Sequence, residues 1–196
     1  EIAVMVARNA DGQMKTFPAV DMEFNPEANL VEFLFTPSER PQAVISKAET
    51  LAIEVAEKMG IVGVLAVEMF VLRDGSVLVN EVAPRPHNSG HHTIECCYTS
   101  QYEQHLRAIM NWPLGDTSLI QPAVMVNLLG EKGSQGQVVY SGMQDVLQMP
   151  GVYVHLYGKK TTGSFRKMGH VTVMHSSLST AKEMAREVMQ KLKVVG

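Results

Sequence analysis

Apolar residues recur three and four positions apart at Val44, Ile45, Ala48, Leu51, Ala52, Val55, Ala56 and Met59, with Gly60 as a stop. That spacing predicts an amphipathic helix over 41–59. A different pattern follows: Val64 to Leu72 and Val77 to Val82 are short apolar runs joined through Asp74-Gly75, which predicts a β-hairpin. Residues 1–7 and 14–20 read as two further strands around Asn9-Ala10-Asp11-Gly12, followed by a loop rich in Asn, Glu and Pro. Ser100 with Glu103 forms a capping box for a helix carrying Leu106, Ile109 and Met110, which ends near Pro113 and Gly115. Trp112 to Pro122 reads as a connector. Strand-like runs then fall at 123–129, 152–157 and 170–174, and a last helix spans 181–192 with Thr180 and Glu183 at its cap. No segment repeats internally. Strands and helices in this mixture make the class α+β.

Composition narrows the picture. The 196 residues suffice for one large domain or two small ones, and 45% hydrophobic with 19% charged residues is an ordinary globular balance rather than a disordered one. A net charge of −3 favours neither a nucleic-acid backbone nor an anionic membrane. No apolar run approaches the ~18 residues of a spanning helix, and no export signal opens the chain. Cys96 and Cys97 are adjacent, too close for an unstrained disulfide, and neither belongs to a CxxC pair, so a reducing cytoplasm is the expected compartment. The chain opens on Glu1 and runs straight into strand-like residues, which reads as a piece of a longer protein.

With Asp74 and Gly75 as the two central turn residues, antiparallel partners have numbers summing to 149, and Glu68 faces Glu81. Two opposed carboxylates among Val67, Met69, Val79 and Val82 repel one another and resist burial, so a positive group belongs between them. Mg²⁺, held by one or two carboxylates and phosphate oxygens, suits such a pair. The plainer alternative is a one-residue slip that turns one glutamate to solvent. In a regular strand Asn80 points away from Glu81, so its part as a phosphate or metal contact is the less secure.

Past the second glutamate, Ala83-Pro84-Arg85-Pro86-His87-Asn88-Ser89-Gly90-His91 is too broken by Pro and Gly to be regular. It combines a guanidinium, imidazoles and small donors suited to an anion such as bicarbonate or phosphate. A proline-stiffened structural loop is the alternative. A second cluster, Lys159, Lys160, Arg166 and Lys167, puts four cations within nine residues beside Gly158 and Gly163, where a phosphomonoester fits, although charge runs are more often solvated faces. His105, His155 and His175 stand apart and read as surface or packing residues.

Taken together, Gly63-Val64-Leu65-Ala66-Val67-Glu68, Val79-Asn80-Glu81-Val82-Ala83-Pro84-Arg85-Pro86-His87-Asn88-Ser89-Gly90-His91, Pro122-Ala123-Val124-Met125-Val126-Asn127-Leu128-Leu129-Gly130, Tyr157-Gly158-Lys159 and Arg166-Lys167-Met168-Gly169-His170 resemble the 5-(carboxyamino)imidazole ribonucleotide synthases, ATP-grasp ligases of purine biosynthesis. The resemblance covers nearly the whole chain. It implies that Glu68 and Glu81 bind Mg²⁺ or Mn²⁺, with Asn80 a companion on the ATP side. It also implies that Arg85, His87 and Lys159 handle bicarbonate and carboxyphosphate, with Asn88 and Ser89 nearby, and that Lys159, Arg166 and Lys167 hold the ribonucleotide phosphate. The implied partners are ATP, bicarbonate and 5-aminoimidazole ribonucleotide, with no nucleic acid or membrane, in a homodimer. Residues 1–118 are then the C-terminal part of an ATP-grasp domain, an antiparallel sheet with flanking helices, and residues 119–196 a small β-rich C-terminal domain.

Gly163-Ser164-Phe165 departs from the Arg-Pro-Gly of many relatives, which puts one phosphate contact in doubt. The resemblance also places the adenine pocket before Glu1, so this chain alone is expected to be inactive. Two rivals remain open: the formate-dependent phosphoribosylglycinamide formyltransferases, with Asp-Thr-Gly expected where Asn88-Ser89-Gly90 stands, and a non-catalytic binding module of the same fold.

Overall fold

The computed structural model describes residues 1–25 and 30–196. The chain divides into two compact units, residues 1–22 with 35–121 and residues 23–34 with 122–196. The second unit therefore draws on an early stretch that a boundary near 118 does not foresee. That stretch was expected to be loop. Instead β3 (Val20–Asn25) and β4 (Leu30–Thr36) occupy it, and the part of the expected loop at 26–29 lies outside the described residues. Val20, Met22, Phe33, Leu34 and Phe35 are buried, so apolar content supports these strands although polar residues between them mask it in the sequence.

In the first unit the strand order is β3–β1–β5–β6, where β1 is Ile2–Arg8, β5 is Gly63–Val71 and β6 is Val77–Ala83. The short β2 (Met14–Thr16) pairs with the end of β1 through Val6↔Thr16, Ala7↔Lys15 and Arg8↔Met14, as the Asp-Gly turn requires. Helix α1 (Gln42–Met59) covers one face. Its Ala48, Ala52 and Ala56 let the helix lie close against Ile2, Val4, Val6, Leu65, Val67 and Met69. Full burial of a Leu65- or Val67-sized side chain contributes about 1.5–3 kcal/mol. The helix stops where Gly60 takes the left-handed conformation, φ 61°, and donates its N–H to the Glu57 carbonyl.

On the other face lie α2 (Thr93–Cys96) and α3 (Gln101–Ile109), the latter capped by Ser100 Oγ accepting from the Glu103 N–H at 3.2 Å. His105 is a packing residue: its Nδ1 accepts from the Val64 N–H at 3.2 Å. The connector after α3 has no long regular element, and the buried Gln104 clamps it by accepting from Gly115 N–H at 2.8 Å and donating to its carbonyl at 3.1 Å.

The second unit orders its strands β10–β12–β7–β4, where β7 is Ala123–Leu129, β10 is Val152–Leu156 and β12 is Lys167–Met174. Two small ladders accompany it, β8 (Gln135–Gln137) with β11 (Thr161–Gly163) and β9 (Val139–Ser141) with β13 (Lys193–Val195). None of these three-residue strands, nor α4 (Met143–Leu147), is long enough to leave a periodic signal. The last helix, α5 (Leu178–Lys191), begins earlier than expected because Ser177 Oγ, not Thr180, accepts the capping N–H. No helix among the described residues is long and apolar enough to cross a membrane.

Candidate active site

The β5–β6 hairpin turns differently from the expectation and still opposes the two glutamates. Its loop has three residues, closed by the Leu72 N–H on the Ser76 carbonyl at 2.9 Å, with Gly75 left-handed at φ 78°. Asp74 fastens the loop by accepting from Ser76 N–H at 2.9 Å and Ser76 Oγ–H at 2.6 Å, and those bonds lower its carboxyl pKa. The register therefore runs Val71↔Val77, Phe70↔Leu78 and Met69↔Val79, one residue off the two-residue-turn count. A β-bulge then restores it, giving Glu68↔Glu81, Val67↔Val82 and Ala66↔Ala83.

The bulge changes the reading of Asn80. Val79 and Val82 pair with Met69 and Val67, which both face α1. Asn80 and Glu81 together occupy the position opposite Glu68 that one residue fills in a regular strand. The strict alternation that would aim Asn80 away from Glu81 is broken here. Glu68 is buried and Glu81 is exposed.

His87 lies against the buried glutamate, its Nδ1 3.2 Å from Glu68 Oε1 and 3.0 Å from Ser89 Oγ. A carboxylate has no proton to give, so Nδ1 carries the hydrogen and a neutral ring keeps its lone pair on Nε2. The loop bearing His87 is held by Gln101, a fully buried residue at the start of α3. Gln101 Oε1 accepts from His87 N–H at 2.8 Å, while Nε2 donates to the His87 carbonyl at 2.9 Å and faces His91 Nδ1 at 2.9 Å. Thr93 Oγ1 accepts the Gln101 N–H at 2.8 Å and donates to the Gly90 carbonyl at 2.6 Å. A Cβ at Gly90 would come within 2.6 Å of Gln101 Oε1, so a glycine is needed there. No sequence periodicity singles out Gln101; only its burial and its bonds do.

Arg85 extends its exposed side chain past this loop with Nη1 on the Pro86 carbonyl at 3.1 Å, which leaves other guanidinium donors for an anion. Ser89 is buried and Asn88 half-buried, in the 3₁₀ turn Asn88–Gly90. Within the first unit the structure thus sets Asn80 and Glu81 opposite Glu68 and His87 against both Glu68 and Ser89, with Arg85 and Asn88 on the same loop as His87. The donor set fits a hard divalent cation: two carboxylates and a carboxamide oxygen on one strand pair.

The basic residues form a separate group in the second unit. Lys159 Nζ donates to the Lys167 carbonyl at 2.6 Å and lies 5.9 Å from the centre of the Tyr157 ring. An ammonium has three donors, so two remain for a ligand. Arg166 Nη1 donates to Thr161 carbonyl at 3.0 Å and Thr161 Oγ1 at 3.2 Å. Between them Phe165 sits in the left-handed region at φ 59°, its N–H on the Gly130 carbonyl at 2.8 Å. An open groove of about 700 Å³ runs beside Lys159 and Lys160, with Gln137, Tyr140 and Gly158 on its walls.

Much of the Lys167-Met168-Gly169-His170 segment proves structural. Met168 and His170 are buried, a Cβ at Gly169 would meet the His155 carbonyl at 2.3 Å, and His170 Nδ1 lies 3.1 Å from Tyr157 Oη. His155 stacks on His170 with ring centres 4.5 Å apart.

Comparison with known proteins identifies the family of both parts of the chain. A model of the ATP-grasp domain matches residues 1–102, and a model of the phosphoribosylaminoimidazole carboxylase C-terminal domain matches residues 123–184. The chain is 44% identical over 187 residues to a chloroplastic phosphoribosylaminoimidazole carboxylase of Vigna aconitifolia, covering 92% of this chain and 32% of that protein. It superposes on an N5-carboxyaminoimidazole ribonucleotide synthetase of Thermotoga maritima with a TM-score of 0.92 and 46% identity, over 100% of this chain and 52% of that one. An N5-carboxyaminoimidazole synthase of Aspergillus clavatus, in complex with ADP and 5-aminoimidazole ribonucleotide, superposes with a TM-score of 0.87 and 31% identity over 96% of this chain and 50% of that one. The chain thus spans between a third and about half the length of these relatives.

Proposed function

The chain belongs to the ATP-grasp family, and on that premise we propose that the protein containing it carboxylates 5-aminoimidazole ribonucleotide with bicarbonate at the expense of ATP. The observation that supports this reading is the bulged β5–β6 pair, with Asn80 and Glu81 opposite a Glu68 that lies 3.2 Å from His87. Mg²⁺ held by Glu68 and Glu81, with Asn80 beside them on the ATP side, would supply charge neutralisation for the nucleotide phosphates.

The chemistry assigns the remaining residues. A bicarbonate oxygen attacks the γ-phosphorus, the bond to the β-phosphate oxygen breaks, and ADP leaves. Carboxyphosphate is the product of that step. The exocyclic amine of the ribonucleotide then attacks its carbon, inorganic phosphate departs, and the amine releases a proton. Arg85 offers a planar fork to the carboxylate or phosphoryl oxygens, and His87 offers the polar edge that Glu68 orients. Asn88 and Ser89 belong to the same turn and complete that wall. Lys159 serves the carboxyphosphate and, with Arg166 and Lys167, the 5′-phosphate of the ribonucleotide. Residues 1–118 supply the C-terminal part of the ATP-grasp domain, and 119–196 the small C-terminal domain. The protein works as a homodimer in the cytoplasm.

The test is ADP release by the intact protein. Turnover with bicarbonate and 5-aminoimidazole ribonucleotide, absent with formate and glycinamide ribonucleotide, is the expected result. The reverse preference overturns the reading in favour of a formyltransferase, and silence with both pairs favours a binding module. This chain by itself is expected to release no ADP.

A further inference from the structure

Beneath the His87 loop three soft donors that the proposed reaction does not use meet in the interior. His92, Cys96 and Cys97 are all buried, and one ligand atom from each lies within 4.8 Å of the others. Their convergence has a local cause. Cys96 N–H bonds to the His92 carbonyl at 3.1 Å, so the two side chains project from the same side of a single helical turn. Cys97 leaves that turn in an extended conformation, φ −117° and ψ 153°, and its Sγ arrives 3.9 Å from Cys96 Sγ. The connector then clamps the turn, the Ile120 N–H on the Cys96 carbonyl at 2.7 Å and the Tyr98 N–H on the Ser118 carbonyl at 3.2 Å.

Two further observations point to a ligand. His92 has no exposed surface, and its ring nitrogens find no partner in good hydrogen-bond geometry, the backbone of Ser89 alone lying near enough to act on the ring. The sulfur spacing fits as well. With metal–sulfur bonds of about 2.3 Å, two sulfurs lie about 3.8 Å apart around a tetrahedral ion and about 4.0 Å apart around a trigonal one, and the observed 3.9 Å falls between.

We propose that His92, Cys96 and Cys97 form a binding site for a thiophilic d¹⁰ metal ion, Zn²⁺ or Cu⁺, separate from the magnesium site. Soft sulfur donors reject Mg²⁺, which prefers oxygen. Binding displaces thiol protons to solvent: two for Zn²⁺, and one for Cu⁺ with the second sulfur still protonated. Zn²⁺ requires a fourth ligand, for which Glu95 on the same turn is the nearest acidic side chain in sequence. Cu⁺ is satisfied by the three donors present. Bonds of about 2.0 Å to nitrogen and about 2.3 Å to sulfur put those atoms roughly 3.6–3.8 Å apart, so a group whose atoms lie within 4.8 Å of one another closes on an ion by a shift of about 1 Å.

The test needs no turnover, so its failure is independent of the reaction proposed above. The intact protein, reduced and stripped of metal, is equilibrated with Zn²⁺ or with Cu⁺ under a competing chelator, and bound metal is counted after gel filtration. One ion per chain is expected. His92→Phe and the double variant Cys96→Ser, Cys97→Ser should each weaken binding by more than the about 10–100-fold that an outer-shell change costs. Wild-type affinity in a folded double variant overturns the site, as does no retained ion of either metal. Where a variant fails to fold, X-ray absorption on the loaded wild type decides. A shell containing two sulfurs at about 2.3 Å supports the site and a shell of nitrogen and oxygen alone overturns it. A fourth light-atom ligand in that shell assigns the site to Zn²⁺, and three ligands assign it to Cu⁺.

Discussion

The His87 loop of the first unit and the Lys159–Lys167 loop of the second both present cations, yet they are built on opposite plans. The first rests on a buried side-chain frame: Gln101 and Thr93 hold the main chain at His87 and Gly90, and His87 is aimed by a buried carboxylate. The second is self-contained and superficial. Its cations lean on nearby main-chain carbonyls, Lys159 on Lys167 and Arg166 on Thr161. A frame of buried side chains preorganises reacting groups at the expense of tolerance to change, which suits bond-making. Surface cations on carbonyls suit charge recognition, where reach matters more than angle. The first loop should therefore govern turnover and the second substrate binding.

The sharpest test of this division is Glu81→Gln in the intact protein. It should cut magnesium-dependent ADP formation by about 10²–10³-fold or more, and the melting temperature should hold because Glu81 is exposed. Retention of most of the turnover would remove the metal-ligand assignment. Next in size is Arg166→Ala, which should raise the KM for the ribonucleotide about 10–100-fold through loss of charge-assisted bonds to phosphate. The KM for ATP should not change, and an equal loss for both substrates would erase the contrast between the loops.

Gln101→Leu leaves the His87 main-chain groups buried without partners and should cost about 1–3 kcal/mol in urea denaturation. It should also lower kcat at unchanged ribonucleotide KM; a rise in KM alone would assign the frame to binding. The smallest effect is expected at Phe165, held at φ 59°. Phe165→Gly relieves about 1–2 kcal/mol of left-handed strain and loses some to chain entropy, a net gain of at most about 1 kcal/mol. A clear loss of stability there would show that the phenyl ring is a packing group in its own right.

How much of this was legible beforehand differs from residue to residue. Helix α1 was readable because its apolar period extends over five turns and a glycine ends it. The opposed glutamates were readable, but by two errors that cancel: the turn has three residues rather than two, and the bulge at Asn80 restores the count. Turn length and bulges depend on local backbone torsions that alternation does not record. The early strands β3 and β4 and the short ladders of the second unit went unread, since three to seven residues interrupted by polar ones carry little periodicity.

From composition, period and motif alone came the fold class, the glutamate pair, the Arg-Pro-His loop and the basic cluster, because each is written in neighbouring residues. Only the tertiary structure put Asn80 with Glu81 in the bulge opposite Glu68, made Gln101 the support of His87, and brought His92, Cys96 and Cys97 together in the interior. Those are consequences of burial and of a partner's position in space. A linear chain does not encode them locally, since a buried polar group finds its partner wherever packing brings one within hydrogen-bond reach.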